Sequence, residues 1–360
     1  MMTSSNRKSG FILLAIGTIL LATIAAGAGF ERWSRHQAWA THPAPGRLVD
    51  VGGRRMQIDC RGAGSPTVVL IHGLDTGGAT TFSKVHSPIA RFTRTCAISR
   101  AGIMWSDPDD RPFDAARQVE DMQRSLAAAG ERGPFVLVPH SLGGPYSLMF
   151  THRYPNKVAG LVFVDASHPD MATRASAITG PQPKPPQQFV DWIMMSLGWS
   201  GLPRLLMDDG ASGPPWLPKS DAAAEMAFAP TTITTLMREE EAIPATLAAA
   251  RSTVSNRRHP LSDRPFIVLT AADTINEAKA ASAGVSPRSA RRLGMLWSEL
   301  GEEAAAWSSC GLHKIVPQSE HYIQYMQPNA VITAVRSVVM QIRNAKNGGL
   351  CKSITRDTMI

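Results

Sequence analysis

The stretch Val136-Leu-Val-Pro-His-Ser-Leu-Gly-Gly144 decides how this chain is read. An apolar, β-favouring run from Phe135 to Val138 stops abruptly, and Ser141 follows it. Two glycines come next, then a helix-compatible run from Tyr146 to His152. Strand, sharp turn, serine, tight turn and helix form the layout of a nucleophile elbow. A serine hydroxyl is a poor nucleophile at its free pKa, so it must stand on a strained turn where a base can take its proton. Small residues must flank it, or their side chains would meet the following helix. Gly143 fits that demand. Pro139 stands two places before the serine, where glycine is usual, and is compact enough to end the strand.

Supporting elements lie on both sides. Upstream, Thr67 to Ile71 reads as a buried strand and runs into His72-Gly-Leu-Asp-Thr-Gly-Gly78. That loop offers the N–H of Leu74 as an oxyanion donor, beside the N–H of Leu142 that follows the serine. Arg94 to Ser99 is another strand, ending in Arg100-Ala-Gly-Ile-Met-Trp-Ser-Asp107. Downstream, Lys157 to Asp165 and Pro265 to Thr270 read as strands, with Asp273 just beyond the second. The last strand, Leu312 to Val316, precedes Ser319-Glu-His-Tyr322. The order Ser141, Asp273, His321 is therefore nucleophile, acid, base. Asp165, at the end of an earlier strand, is the alternative acid, and Glu277 is a third carboxylate nearby. His72, His140 and His313 read as structural.

On these motifs the chain resembles the α/β-hydrolase superfamily over about residues 47–345. Within it the chain is similar to bacterial serine hydrolases of the esterase and lipase kind, with an H-G loop, R-A-G-x-x-W-S-D, H-S-L-G-G and a late S-x-H. The resemblance implies an eight-stranded, mostly parallel sheet flanked by helices, with a helical cap between strands six and seven. It also implies acyl transfer through an acyl-enzyme on Ser141, with no cofactor. Relatives that act as haloalkane dehalogenases or epoxide hydrolases carry aspartate at the elbow, so serine points away from that chemistry. The same triad serves carbon–carbon bond hydrolases, amidases and peptidases, and an idle binding protein of this fold is a further alternative. Ser99 stands where the family often has Asp, and Met104 where Gly is frequent; both bear on substrate preference.

The chain divides into an N-terminal anchor or signal segment (1–30), a tether (31–46), a core (47–167 and 263–346), a cap (168–262) and a tail (347–360). Trp192, Trp199, Trp216, Met194, Met195, Met207 and Met226 concentrate in the cap, which favours an apolar underside for a substrate with a hydrophobic part. Two covering helices are expected, Asp114 to Ala129 and Pro328 to Ala345, each with apolar residues at three- and four-residue spacing. The net charge is +8, but the basic residues are scattered rather than clustered with aromatics, which argues against a nucleic-acid partner. No metal-ligand spacing is present, and the sequence carries no sign of oligomeric state.

Residues 11–30 carry no charge, and twenty helical residues span about 30 Å, the thickness of a hydrocarbon core. They are expected to anchor the chain in a cell membrane with the catalytic part outside the cytoplasm. Cleavage near Ala26-Gly-Ala28, which would release the enzyme, is the competing expectation. Arg7, Lys8 and the amino terminus favour this orientation; Arg32 and Arg35 oppose it. In the fold that the resemblance implies, strand two lies antiparallel beside strand four, which brings Cys60 and Cys96 together. The last helix returns along the last strand, which pairs Cys310 with Cys351. Two disulfides agree with an exported chain.

Overall fold

A computed structural model describes residues 4–180, 196–206, 214–255, 258–275, 280–281 and 284–345. The chain separates into two units, one of Met1–Pro43 with Lys184–Thr234, the other of Ala44–Pro183 with Thr235–Ile360.

The larger unit is built on one eight-stranded sheet: β1 (Arg47–Asp50), β2 (Arg55–Arg61), β3 (Thr67–Ile71), β4 (Thr95–Ile98), β5 (Phe135–Pro139), β6 (Val158–Val164), β7 (Phe266–Ala271) and β8 (Gly311–Val316). Their spatial order is β1-β2-β4-β3-β5-β6-β7-β8. β2 runs antiparallel to both its neighbours, and the remaining pairs are parallel. Gly52 and Gly53 turn β1 into β2 at φ +106° and +83°, and Asp50 Oδ1 accepts both of their N–H groups. The central strands β3 and β5 are buried at every residue, as continuous apolar runs in a sheet covered on both faces must be.

The helices follow the same economy. α1 spans Ser4–Thr41, α2 Ser83–Ala90, α3 Ala115–Ala128, α4 Gly143–Arg153 and α5 Met171–Thr179. α3 starts where Asp114 Oδ1 accepts the N–H of Ala116, and it buries Val119, Met122 and Leu126. Between β6 and β7 follow α6 (Leu202–Leu206), α7 (Lys219–Glu241) and α8 (Ile243–Val254); after β7 come α9 (Pro287–Ala305), α10 (Ile323–Met326) and α11 (Pro328–Ala345). α11 buries Val331, Val335 and Val338 against the sheet. The parallel strands all end at one edge, and their loops gather there.

In the smaller unit, Phe11–Thr41 of α1 is long and apolar enough to cross a bilayer. The tether expected over 31–46 begins later than the sequence indicated, because residues 31–41 continue the helix. Glu31 and Arg35 pair one turn apart at 2.9 Å, and nothing in that stretch interrupts the backbone ladder before Pro43. Arg204 of α6 grips the buried Glu31 with two nitrogens, at 3.0 and 3.1 Å. Gly27 meets the carbonyl of Ser200, and Trp39 sets its edge on Phe228 at 5.8 Å between ring centroids.

Cys60 and Cys96 lie directly opposite in the β2–β4 pair and form a disulfide. The proposed partner of Cys310, Cys351, lies outside the described residues, as do the tail 347–360, Glu277, Trp192, Met194, Met195 and Met207.

Candidate active site

β5 delivers Ser141 to the sheet edge. The N–H of His140 still bonds to Ile71 of β3 at 2.9 Å, and His140 bridges Val164 of β6. The chain then turns at Ser141 with φ +50°, a left-handed conformation that costs a non-glycine residue about 1 kcal/mol or more. The Ser141 carbonyl accepts N–H groups from Gly144 and Ser167, which holds the turn. A Cβ at Gly143 would stand 2.5 Å from the Ile71 carbonyl oxygen and 3.0 Å from that of His72, so only glycine fits. Pairing of β5 with β6 is made at Leu137 and resumes at His140, so Pro139, which has no N–H, falls in a gap of that ladder.

His321 stands between β8 and α10. Its Nδ1 is 2.7 Å from Asp165 Oδ2, and the imidazole is one-third exposed while the carboxylate is buried. Asp165 follows β6 at φ +43°. Its Oδ1 accepts the N–H groups of Ala271 at 3.0 Å and Trp297 at 3.3 Å; its Oδ2 also accepts the Thr274 hydroxyl at 2.7 Å. With Nδ1–H donated to Asp165, His321 keeps Nε2 as an acceptor that no donor among the described residues occupies. His140 Nε2 donates to the backbone carbonyl of His321 at 3.0 Å, and the two rings stand 4.6 Å apart. Burial, with the neighbouring His321 second, pushes His140 well below the ordinary imidazole range, so it stays neutral.

The loop after β3 lies against the serine: a Cβ at Gly73 would sit 2.6 Å from the Ser141 Cβ. Asp75 braces this loop, accepting the N–H of Gly73 at 3.1 Å, the N–H of Gly78 at 3.0 Å and the Thr81 hydroxyl at 2.8 Å. Burial raises its pKa to about 6 against those donors. Among the described residues, the N–H groups of Leu74 and Leu142 donate to no protein acceptor. Leu142 leads directly into the N-terminus of α4, where helix polarity favours negative charge.

The sequence model of the alpha/beta hydrolase family matches residues 68–334. The chain belongs to that family. A 2-hydroxy-6-oxo-2,4-heptadienoate hydrolase of Pseudomonas putida is 33% identical over 126 residues, 34% of this chain and 44% of that one. The Bacillus subtilis protein YbdG is 25% identical over 165 residues, 45% of this chain and 50% of its own. The chain spans half or less of the length of the curated relatives it matches. Among solved structures, a thermophilic esterase from Thermogutta terrifontis superposes with a TM-score of 0.52 at 15% identity, covering 82% of this chain and 98% of that one, a likeness of fold.

Of the two acids expected, the structure brings Asp165 to His321 and not Asp273. Asp273 is exposed, and among the described residues its side chain has no hydrogen-bond partner; only its backbone N–H is engaged, by Ser319. The imidazole goes instead to Asp165, the alternative. β6 and β7 are adjacent and end at the same edge, so strand order alone does not separate their carboxylates. The backbone does, because Asp165 turns inward at a left-handed φ. Thr274 and Trp297, which complete the carboxylate's surroundings, carry no sequence signal: Trp297 sits 132 positions away on a helix. The two family departures have local accounts. Ser99 donates to Gln57 at 2.7 Å and accepts the N–H of Ala79 at 3.0 Å, tying β2 to the loop after β3. Met104 takes φ +51°, the conformation that suits the glycine frequent there.

Proposed function

We propose that this chain is a serine hydrolase that cleaves carboxylic esters or related acyl compounds bearing an apolar part. The observation that carries the reading is the 2.7 Å bond from His321 to the buried Asp165, at the same sheet edge as a serine held at φ +50°. His321 Nε2 takes the Ser141 proton as Oγ attacks the acyl carbon. The N–H groups of Leu74 and Leu142 receive the oxyanion, and the alcohol leaves with the proton from His321. Water then attacks the acyl-enzyme, with His321 again as base. Asp165 holds the tautomer and stabilises the imidazolium. The apolar preference rests on the Trp and Met content of residues 168–262. A second reading, hydrolysis of a carbon–carbon bond, is favoured by the likeness to the Pseudomonas putida hydrolase.

The deciding experiment is labelling with a fluorophosphonate probe. Wild-type protein should label and Ser141→Ala should not; equal labelling of the two removes the reading. Turnover of p-nitrophenyl esters against matched amides and a vinylogous diketone then separates the chemistries.

We further propose that the chain is an uncleaved membrane protein with its catalytic part outside the cytoplasm. A long apolar helix, a disulfide and the packing of Gly27 and Glu31 against residues 200–204 support this. A periplasm-only reporter fused after residue 46 should be active; activity only from a cytoplasmic reporter reverses the orientation.

A further inference from the structure

Behind the loop after β3 lies a charge cluster that the catalytic proposal does not use. Arg100 is 2% exposed, Glu239 on α7 is 1% and Tyr146 on α4 is 0%. Burying an ion pair gives little or no net stability, since desolvation offsets the attraction. The bonds of this pair show what else it does. Arg100 Nη1 donates to the His72 carbonyl at 2.6 Å, and Nη2 donates to the Gly73 carbonyl at 2.7 Å. Glu239 Oε1 balances the charge, accepting from Arg100 Nη2 and from the Tyr146 hydroxyl, each at 2.7 Å. The backbone N–H of Arg100 donates to His72 Nε2 at 3.2 Å. That bond leaves the His72 proton on Nδ1, which donates to the same Gly73 carbonyl at 2.8 Å. Two donors, one of them cationic, therefore hold the Gly73 oxygen.

The peptide joining Gly73 to Leu74 is planar and trans, so its N–H points opposite to its C=O. Holding the Gly73 oxygen against Arg100 therefore fixes the direction of the Leu74 N–H, in a loop that abuts Ser141 at Gly73. A charge-assisted bond to the carbonyl also polarises that peptide and strengthens its N–H as a donor. We propose that Arg100, charge-balanced by Glu239, is a positioning residue that fixes the Gly73–Leu74 peptide and so aims one oxyanion donor. This rests on the serine hydrolase reading above. Arg100 touches no substrate in this account; it acts through Leu74.

The test uses the full chain and a matched pair of substrates, an ester and its thionoester. Sulfur is larger than oxygen and a poorer acceptor, so a well-aimed donor favours the oxygen compound and a loosened one discriminates less. Arg100→Lys keeps the charge but loses the fork. The charge-neutral pair Arg100→Gln with Glu239→Gln loses the fork without stranding a buried charge, and serves if the first variant does not fold. Either should lower kcat for the ester by about 10–100-fold with KM changed by less than about threefold, and should cut the oxygen-over-sulfur preference roughly tenfold. A parallel fall for both substrates, or a change in KM alone, makes Arg100 a merely structural residue and overturns the inference. If wild-type protein hydrolyses neither substrate, the function reading itself has failed. If it hydrolyses both through Ser141 and the variants keep the preference, only this inference is lost.

Discussion

Asp165 accepts the backbone N–H of Ala271 at 3.0 Å, so the carboxylate that holds His321 is itself fastened to the last residue of β7. Four donors converge on this buried group, from Ala271, Thr274, Trp297 and His321. Their number compensates for the lost hydration of a carboxylate and fixes both of its oxygens. The imidazole is thereby referred to two adjacent strands of the sheet rather than to a loop.

Asp165→Asn should therefore lower kcat by about 10³–10⁴-fold with the fold intact, because an amide cannot enforce the His321 tautomer. Asp273→Asn should change it by less than about twofold. Ester turnover by the two purified variants decides the matter, and the opposite ranking would move the acid to Asp273.

Gly143→Ala should destabilise the protein by about 1–3 kcal/mol and abolish labelling of Ser141. The new methyl cannot be accommodated beside the Ile71 and His72 carbonyls without opening the elbow. Urea unfolding and probe labelling measure the two effects. A variant of unchanged stability would mean that the turn is laxer than its geometry implies.

Burial, outweighing the attraction of Asp170 and Glu303, lowers the His168 pKa to about 4; its ring stacks on Trp307 with centroids 5.0 Å apart. From its ordinary value near 6.5 down to about 4, the unfolded chain takes up a proton that the folded chain refuses. This site's contribution is thus complete above about pH 6.5 and is lost as the pH falls towards 4, by about 3 kcal/mol. His168→Gln should lose less stability between pH 7 and 4.5 than wild type in urea titrations. Equal losses would exclude His168 as a source of acid sensitivity. Asp75 works in the opposite sense: its raised pKa favours the folded state at low pH and fades as the pH climbs through about 6.

Reducing the Cys60–Cys96 link, which closes a separation of 36 residues, should remove roughly 3–4 kcal/mol by chain entropy. Comparing the unfolding midpoint of wild type with the Cys60→Ala, Cys96→Ala double variant measures it. An unchanged midpoint would show that β2 and β4 need no covalent link.

The elbow was legible in the sequence because three of its demands are local: a strand, a serine and glycine where any side chain collides. His321 was legible from its place after the last strand. Which of Asp165 and Asp273 meets the imidazole was not, since that turns on one φ angle and on donors from Thr274 and Trp297 that meet only in three dimensions. The helical continuation through residues 31–41 was hidden by Pro43 and Pro45, which mark an end but not where the preceding helix runs. Glu239 was invisible because its meaning depends on Arg100, 139 positions earlier.

Three imidazoles crowd the elbow, those of His72, His140 and His321, yet burial holds the first two far below the pH at which an exposed histidine exchanges its proton. Those two rings should therefore stay neutral through the working range and serve the elbow only as fixed hydrogen-bonding groups.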